Sequence, residues 1–427
     1  MLRQLIIDHV GPADHLEANF APRLNIITGD NSLGKSFLLD VAYWCFTARW
    51  PAGHVAIPML NGEEIVPWIC WGTAKDGESY QVPYDRDSQT WGRPALLAKP
   101  PSRMSVPPAI TFYANADQGV SLCHTPQLPI GPAGQGSVYS PLYRNVAQFT
   151  SAECFNGKID ERSINQVCNG LVADWRLWQT AKASSKEQRL FSMLSRCVLG
   201  LSDPDDQIEI EEPRRVFLDD SRHFPTLRLR STVIPSPHWS SSLRRVLSWA
   251  YLLVWSWHEY VENCQLMGRQ PTGDIVLLID EIETHLHPTW QRRILPALLS
   301  VVKDLAPEAN VQLFVTTHSP MVLASLEPHF EVENDKLFLF EQTASGVEFT
   351  ELPWANYGDA DNWLTSRVFG LKQPRSLEAE QAIADAQAFM LSDRSDSVRR
   401  AEINDRLERY LTPADRFWNR WNLPTRP

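Results

Sequence analysis

Gly29-Asp30-Asn31-Ser32-Leu33-Gly34-Lys35-Ser36 follows an apolar stretch, Leu24-Asn25-Ile26-Ile27, and runs into a helical one, Phe37-Leu38-Leu39-Asp40-Val41-Ala42. This is G-x-x-x-x-G-K-[ST] in the strand, loop and helix setting that its chemistry requires. Glycines let backbone N–H groups wrap phosphate oxygens at a helix N-terminus, the lysine neutralises the β- and γ-phosphates, and the hydroxyl reaches Mg²⁺. Asn31, Ser32, Leu33, Gly34, Lys35, Ser36 and Phe37 are therefore the expected cradle for ATP, with Ser36 also on Mg²⁺ and Lys35 on a solvent-facing loop. Taken alone, the stretch could also be a glycine turn that starts a helix. Two further stretches argue against that reading.

The run Ile275-Val276-Leu277-Leu278-Ile279 ends in Asp280-Glu281. A continuous apolar run predicts a strand buried on both faces in a parallel sheet, and open α/β sheets bind ligands at the C-terminal ends of their strands. Asp280 is the expected Mg²⁺ residue, and Glu281 the catalytic base that orients and deprotonates water. Helix-capping carboxylates are the competing reading. Val311 to Val315 predicts a second such strand, running into Thr316-Thr317-His318-Ser319-Pro320, with helical spacing from Thr289 to Lys303 between the two. A right-handed crossover opens both strand ends on one edge of the sheet. His318 then meets the same ligand as Lys35 and Glu281, as a γ-phosphate contact.

Leu2-Arg3-Gln4-Leu5-Ile6-Ile7, the segment Leu24 to Ser36, the stretch Asp280 to Pro288 and Thr316 to Pro320 together resemble ABC-type ATPases. Within that class they are most similar to the OLD/RecF-like AAA-type proteins often found in anti-phage defence. The resemblance covers about a third of the chain directly. It implies an α/β fold: a P-loop NTPase head with a central, mainly parallel sheet, a helical insertion and a helical C-terminal tail. It also implies head-to-head dimers or higher oligomers, with ATP and Mg²⁺ between the phosphate loop of one subunit and a signature helix of the other. Ser240, Ser241 and Ser242, opening the apolar helix Val246 to Tyr260, are the candidate signature, and an ordinary serine N-cap is the alternative. The family usually carries glycine at the position of Ser242 and commonly at that of Ser32, so slow turnover is expected. It also supplies a glutamine to the metal and water, for which Gln118, Gln127 and Gln135 all qualify.

The expected division is 1–135 for the first lobe, 136–235 for a mainly helical insertion, 236–345 for the second lobe and 346–427 for a helical extension. Pro100 to Pro141, rich in Pro, Gly and Ser, reads as exposed loop, and Asn165 to Leu199 as helical. Asp359-Ala360-Asp361 has the spacing of a TOPRIM metal pair, but no apolar strand feeds it, so it reads as a helix-capping turn and the chain as lacking its own nuclease. No heptad run separates the ATPase motifs, which excludes a long coiled-coil arm. Most of the 16 tryptophans are expected in cores, and the pair Trp418 and Trp421 at an interface.

Seven cysteines without a C-x-x-C pair give neither a zinc site nor a disulfide framework. His285-Leu286-His287 at i and i+2 do not share a helix face. The net charge of −11 disfavours broad phosphate-backbone binding, although Arg214-Arg215, Arg228, Arg230, Arg244-Arg245 and Arg292-Arg293 leave a local nucleic-acid patch open. The longest apolar stretch, Val246 to Trp255, falls short of the ~20 residues that span a bilayer, so no membrane partner is expected. The expectation is a cytoplasmic regulatory ATPase acting on a separately encoded effector, a nuclease or toxin. A RecF-like, ATP-gated DNA-repair protein is the alternative.

Overall fold

The computed structural model describes residues 1–422 apart from 48, 52–54, 60–64, 74–78, 93–94, 97–107, 116–118, 125–146, 160–165, 202–206, 269, 272, 306, 308 and 393–395. Along the chain run β1 (Leu2–Val10), β2 (Ala13–Asn19), β3 (Leu24–Gly29), α1 (Lys35–Thr47), β4 (Trp68–Thr73), β5 (Ser79–Asp85), β6 (Thr90–Trp91), β7 (Ala95–Leu96), β8 (Ile110–Asn115), β9 (Gly119–His124) and β10 (Ala147–Phe149). Then come α2 (Ser151–Asn156), β11 (Lys158–Ile159), β12 (Gln166–Cys168), α3 (Leu171–Gln179), α4 (Lys186–Leu201), β13 (Glu209–Arg215), β14 (His223–Leu229), β15 (Thr232–Pro235) and α5 (Ser241–Leu266). The series ends with β16 (Asp274–Ile279), α6 (Pro288–Leu305), β17 (Asn310–Thr316), α7 (Pro320–Leu326), β18 (Asp335–Thr343), β19 (Gly346–Leu352), α8 (Ala360–Thr365), α9 (Leu377–Leu391), α10 (Ser397–Tyr410) and α11 (Trp418–Trp421).

The central sheet has eight strands in the order β10-β9-β8-β16-β17-β3-β18-β19. Its five inner strands, β8 to β18, are parallel throughout, and antiparallel strands flank them on both sides. The apolar runs read from the sequence are these inner strands: every residue of β3, and all of β16 after Asp274, is buried. Two amides among them tie the first strand and the turn before β3 to the core. Gln312, fully buried, accepts from Leu2 N–H at 2.9 Å and donates to the carbonyls of Leu2 at 2.7 Å and Ala21 at 2.8 Å. Asn25 pairs both ways with the Ala21 backbone. A six-stranded antiparallel sheet is built of β1, β2 and β4 to β7, and apolar side chains of its strands β1, β2, β4, β5 and β6 and of α1 form one core with Val276, Leu278, Phe314 and Phe338.

Three expectations change. Ile110–Asn115 and Gly119–His124 are core strands, although the stretch from Pro100 to Pro141 reads as loop. Averaging composition over that window hides Ala109 to Ala114, all of them buried. The main sheet also continues to Phe149, past 135, and the stretch expected to be mainly helical holds the three-stranded sheet β13 to β15 as well as α2 to α4. Helix α3 starts only at Leu171, because Gly170 adopts φ +87° with Gly157 so close that a Cβ would fall 2.2 Å from its nitrogen. Gln118, Gln127 and Gln135 lie outside the described residues.

Contacts divide the chain into two units, Met1–Asn356 and Tyr357–Pro427. The second has its own helical core, in which Ala382, Ile383, Ala386, Phe389, Ile403 and Leu407 surround Trp421. Trp421, expected at an interface, is buried in this core, and the partly buried Trp418 packs against the same cluster. Asp359 caps α8 by accepting from Asn362 N–H at 2.8 Å, as a capping turn does.

Candidate functional site

The phosphate loop is pressed between β18 and the β1–β2 turn. Gly29 and Gly34 adopt φ +129° and +105°, and a Cβ on them would fall 2.2 Å from the Phe340 carbonyl oxygen and 2.4 Å from Pro12 Cγ. A Cβ on Gly11 would likewise strike the Phe37 ring at 2.3 Å, so the ring packs against the turn. Only glycine meets both demands, left-handed backbone and close approach. Ser32 also sits at φ +66°, a backbone conformation that glycine adopts with less strain. Asn31 and Ser32 are exposed and Leu33 is buried.

Lys35 is buried, contrary to the solvent-facing position expected. Its ammonium donates to the carbonyls of Gly29 at 3.0 Å and Asp30 at 2.6 Å, coiling back into the loop that it serves. Burial lowers its pKa, against the opposing pull of Asp280, Glu281, Asp30 and Glu283. The loop and the end of β16 thus lie in one electrostatic field.

Asp280, 3% exposed, is fixed from three elements. Thr316 of β17 donates to its Oδ1 at 2.6 Å, Asn115 of β8 to its Oδ2 at 3.1 Å, and the Ser36 hydroxyl of α1 bonds to it as well. Burial, with Glu281 beside it, raises its pKa, and the bonds from Thr316 and Ser36, with Lys35, counter the rise. Glu281 follows at φ +46°, a backbone conformation rare outside glycine. It is held by its N–H on Thr316 Oγ1 at 2.7 Å and by the Thr284 hydroxyl on its own Oε2 at 2.8 Å. Glu283 anchors the next strand end, accepting from the Thr317 hydroxyl at 2.7 Å and from the His318 N–H. Burial and the nearby Lys35 lower the pKa of His318, which favours its neutral form, while Glu281 acts in the opposite direction. The structure therefore brings Lys35, Ser36, Asp280, Glu281 and His318 together.

The serines lie elsewhere. Ser240 caps α5 by accepting from Leu243 N–H at 3.2 Å, Ser241 is exposed, and Ser242 donates to the His285 carbonyl. Arg245, one turn further, donates to the carbonyls of Thr284 at 2.8 Å and of Asp280 and Glu281 at 3.2 Å. The start of α5 is thus tied to the loop after Glu281. Several arginines of the suggested nucleic-acid patch are engaged inside the chain: Arg244 on the Ser236 and Pro237 carbonyls, Arg215 on those of Phe217, Leu218 and Asp220, and Arg228 on Glu209 and Glu211. His287 bonds to Thr289 Oγ1 at 2.5 Å.

Sequence reading missed Asn115, Thr284 and Arg245 as parts of this corner. Asn115 carried a signal, a polar residue ending an apolar run beside two others of the same kind; the carbonyl contacts of Arg245 leave no pattern in sequence.

Fold and loop together define a mixed α/β chain in which a G-x-x-x-x-G-K-S loop joins a strand and a helix of a mostly parallel sheet. Residues 263–324 match the family described as "AAA domain, putative AbiEii toxin, Type IV TA system". The chain is similar to the Retron Ec83 probable ATPase of Escherichia coli, 27% identical over 34% of this chain and 24% of that one. It is also similar to the Septu protein PtuA of Bacillus mycoides, 29% identical over 32% of this chain and 18% of that one. The matched segments span less than a third of either relative. Among solved structures it aligns with the SMC head domain from Thermotoga maritima at 14% identity, covering 83% of this chain and 99% of that one, with a TM-score of 0.38. It also aligns with RecF-ATPrS, the recombination mediator of the RecFOR pathway, at 12% identity, 83% and 98% coverage and a TM-score of 0.38. Among the described residues no helix is long and apolar enough to cross a membrane.

Proposed function

We propose that the protein is a slow Mg²⁺-dependent ATPase that pairs with a second copy around ATP and controls a separately encoded effector, a nuclease or toxin, in an anti-phage system. One observation carries this: the Gly29–Ser36 loop, with Lys35 turned into it, lies in the field of Asp280 and Glu281, which end β16 in the same parallel sheet. Loop N–H groups and Lys35 would bind the phosphates. Ser36 and Asp280 are hard oxygen donors already bonded to each other, which suits Mg²⁺. When bound, Mg²⁺ would neutralise charge on the phosphate oxygens. Glu281, positioned by Thr284 and Thr316, would take the proton of the attacking water, and neutral His318 would donate toward the γ-phosphate. The names of the retron and Septu relatives support the defence setting.

The test combines phosphate release, gel filtration and phage plating. Slow release with Mg²⁺ and ATP, an ATP-dependent shift to twice the mass, and loss of protection by the whole operon on Lys35→Ala are expected. Absence of ATP binding by calorimetry would overturn the reading at its base.

A further inference from the structure

Asn115 ends β8 directly beside the end of β16. Its Nδ2 lies 3.1 Å from Asp280 Oδ2 and 3.3 Å from the Tyr113 hydroxyl, and that hydroxyl donates to Asp40 Oδ1 at 2.8 Å. Tyr113 and Asn115 alternate onto one face of the strand, and Asp40 stands one turn beyond Ser36 on α1. With the Ser36 bond to Asp280, these contacts close a ring through Ser36, Asp280, Asn115, Tyr113, Asp40 and back along the helix.

Resting on the ATPase reading above, we infer that Asn115 is a positioning residue: it fixes the second oxygen of Asp280 and, through Tyr113 and Asp40, sets the spacing between the two oxygen donors proposed for Mg²⁺. Thr316 holds Oδ1, and Ser36 is itself one of the proposed metal donors, so without Asn115 the carboxylate loses the amide that fixes Oδ2. A carboxamide suits the place because it donates, whereas an acid here would face Asp280 with Asp40 close by. The expected role is orientation of a metal ligand, where loss of such a partner costs roughly tenfold or more in metal affinity.

Mn²⁺ binding to the whole protein, counted by electron paramagnetic resonance with a non-hydrolysable ATP analogue, reads this without turnover. In Asn115→Ala the Mn²⁺ affinity should fall about tenfold while analogue affinity in EDTA stays at the wild-type value. Tyr113→Phe keeps the ring and removes only the hydroxyl, and should weaken Mn²⁺ in the same direction by less; it decides the matter should Asn115→Ala not fold. A residue that only fills space would lower the melting temperature and leave Mn²⁺ affinity unchanged, and that result overturns the inference alone. A wild type that binds no Mn²⁺ with nucleotide overturns the ATPase reading together with it.

Discussion

At the end of β16, both oxygens of Asp280, the N–H and carboxylate of Glu281 and both oxygens of Glu283 are held by side chains or backbone from β8, β17, the residues Thr317 and His318 that follow it, and the loop between β16 and α6. At the start of α5, Ser240 serves its own helix, Ser242 serves the His285 carbonyl and Ser241 faces outward. The first corner is complete within one chain. The second is a capped helix start whose remaining N–H groups favour an anion only weakly. Chemistry should therefore depend strongly on the strand corner, and on the serine corner only when a second copy supplies it.

The largest effect is expected from Glu281→Gln, which keeps shape and hydrogen bonding but removes the base. Turnover should fall on the order of 10²–10⁴-fold while ATP still binds, and full phosphate release would assign water activation to another group. Next comes Lys35→Ala, with ATP affinity weakened by roughly 10²-fold or more in calorimetry. Because Lys35 is buried and bonded to Gly29 and Asp30, a lower melting temperature should accompany the loss.

A third prediction concerns Asp40, whose carboxyl burial pushes up to about 7. An unfolded chain releases that proton near 4. Between the two values the folded protein keeps a proton that the unfolded chain gives up, so stability falls as pH rises and the loss is complete above 7. Asp40→Asn, still an acceptor for Tyr113, should stabilise the nucleotide-free protein on the order of 2 kcal/mol at pH 8, with the gain shrinking toward pH 4. Equal denaturation midpoints at pH 8 would show that the fold does not raise the Asp40 carboxyl above its ordinary range. The smallest effect falls on the serine corner. Ser241→Glu should bind ATP as the wild type does yet turn over about tenfold more slowly, and only at protein concentrations where dimers form. A loss equally large in dilute monomer would place Ser241 in its own chain's site.

The strand corner was legible because its signals are local. A glycine loop between a strand and a helix, and apolar runs ending in Asp280-Glu281 or Thr316-Thr317-His318, declare themselves in consecutive residues. Asn115 was lost because Pro- and Gly-rich neighbours mask a short strand. Trp421 was misread because tryptophan suits cores and interfaces equally and only neighbours such as Phe389 decide between them. Phe37 matches its motif position, and its ring packs against Gly11, a contact made across a turn that sequence order does not reveal.

The neighbours of β3 bear on how the protein is made. The strand that launches the phosphate loop has β17 on one side and β18 on the other, both from the last third of the chain. Until residues 310–343 have left the ribosome, β3 has no partner strand and the loop has no wall at Phe340. Pairing across some 300 residues is slow to form. A nascent or prematurely ended chain therefore offers ATP no finished pocket, and nucleotide binding reports that synthesis has passed β18.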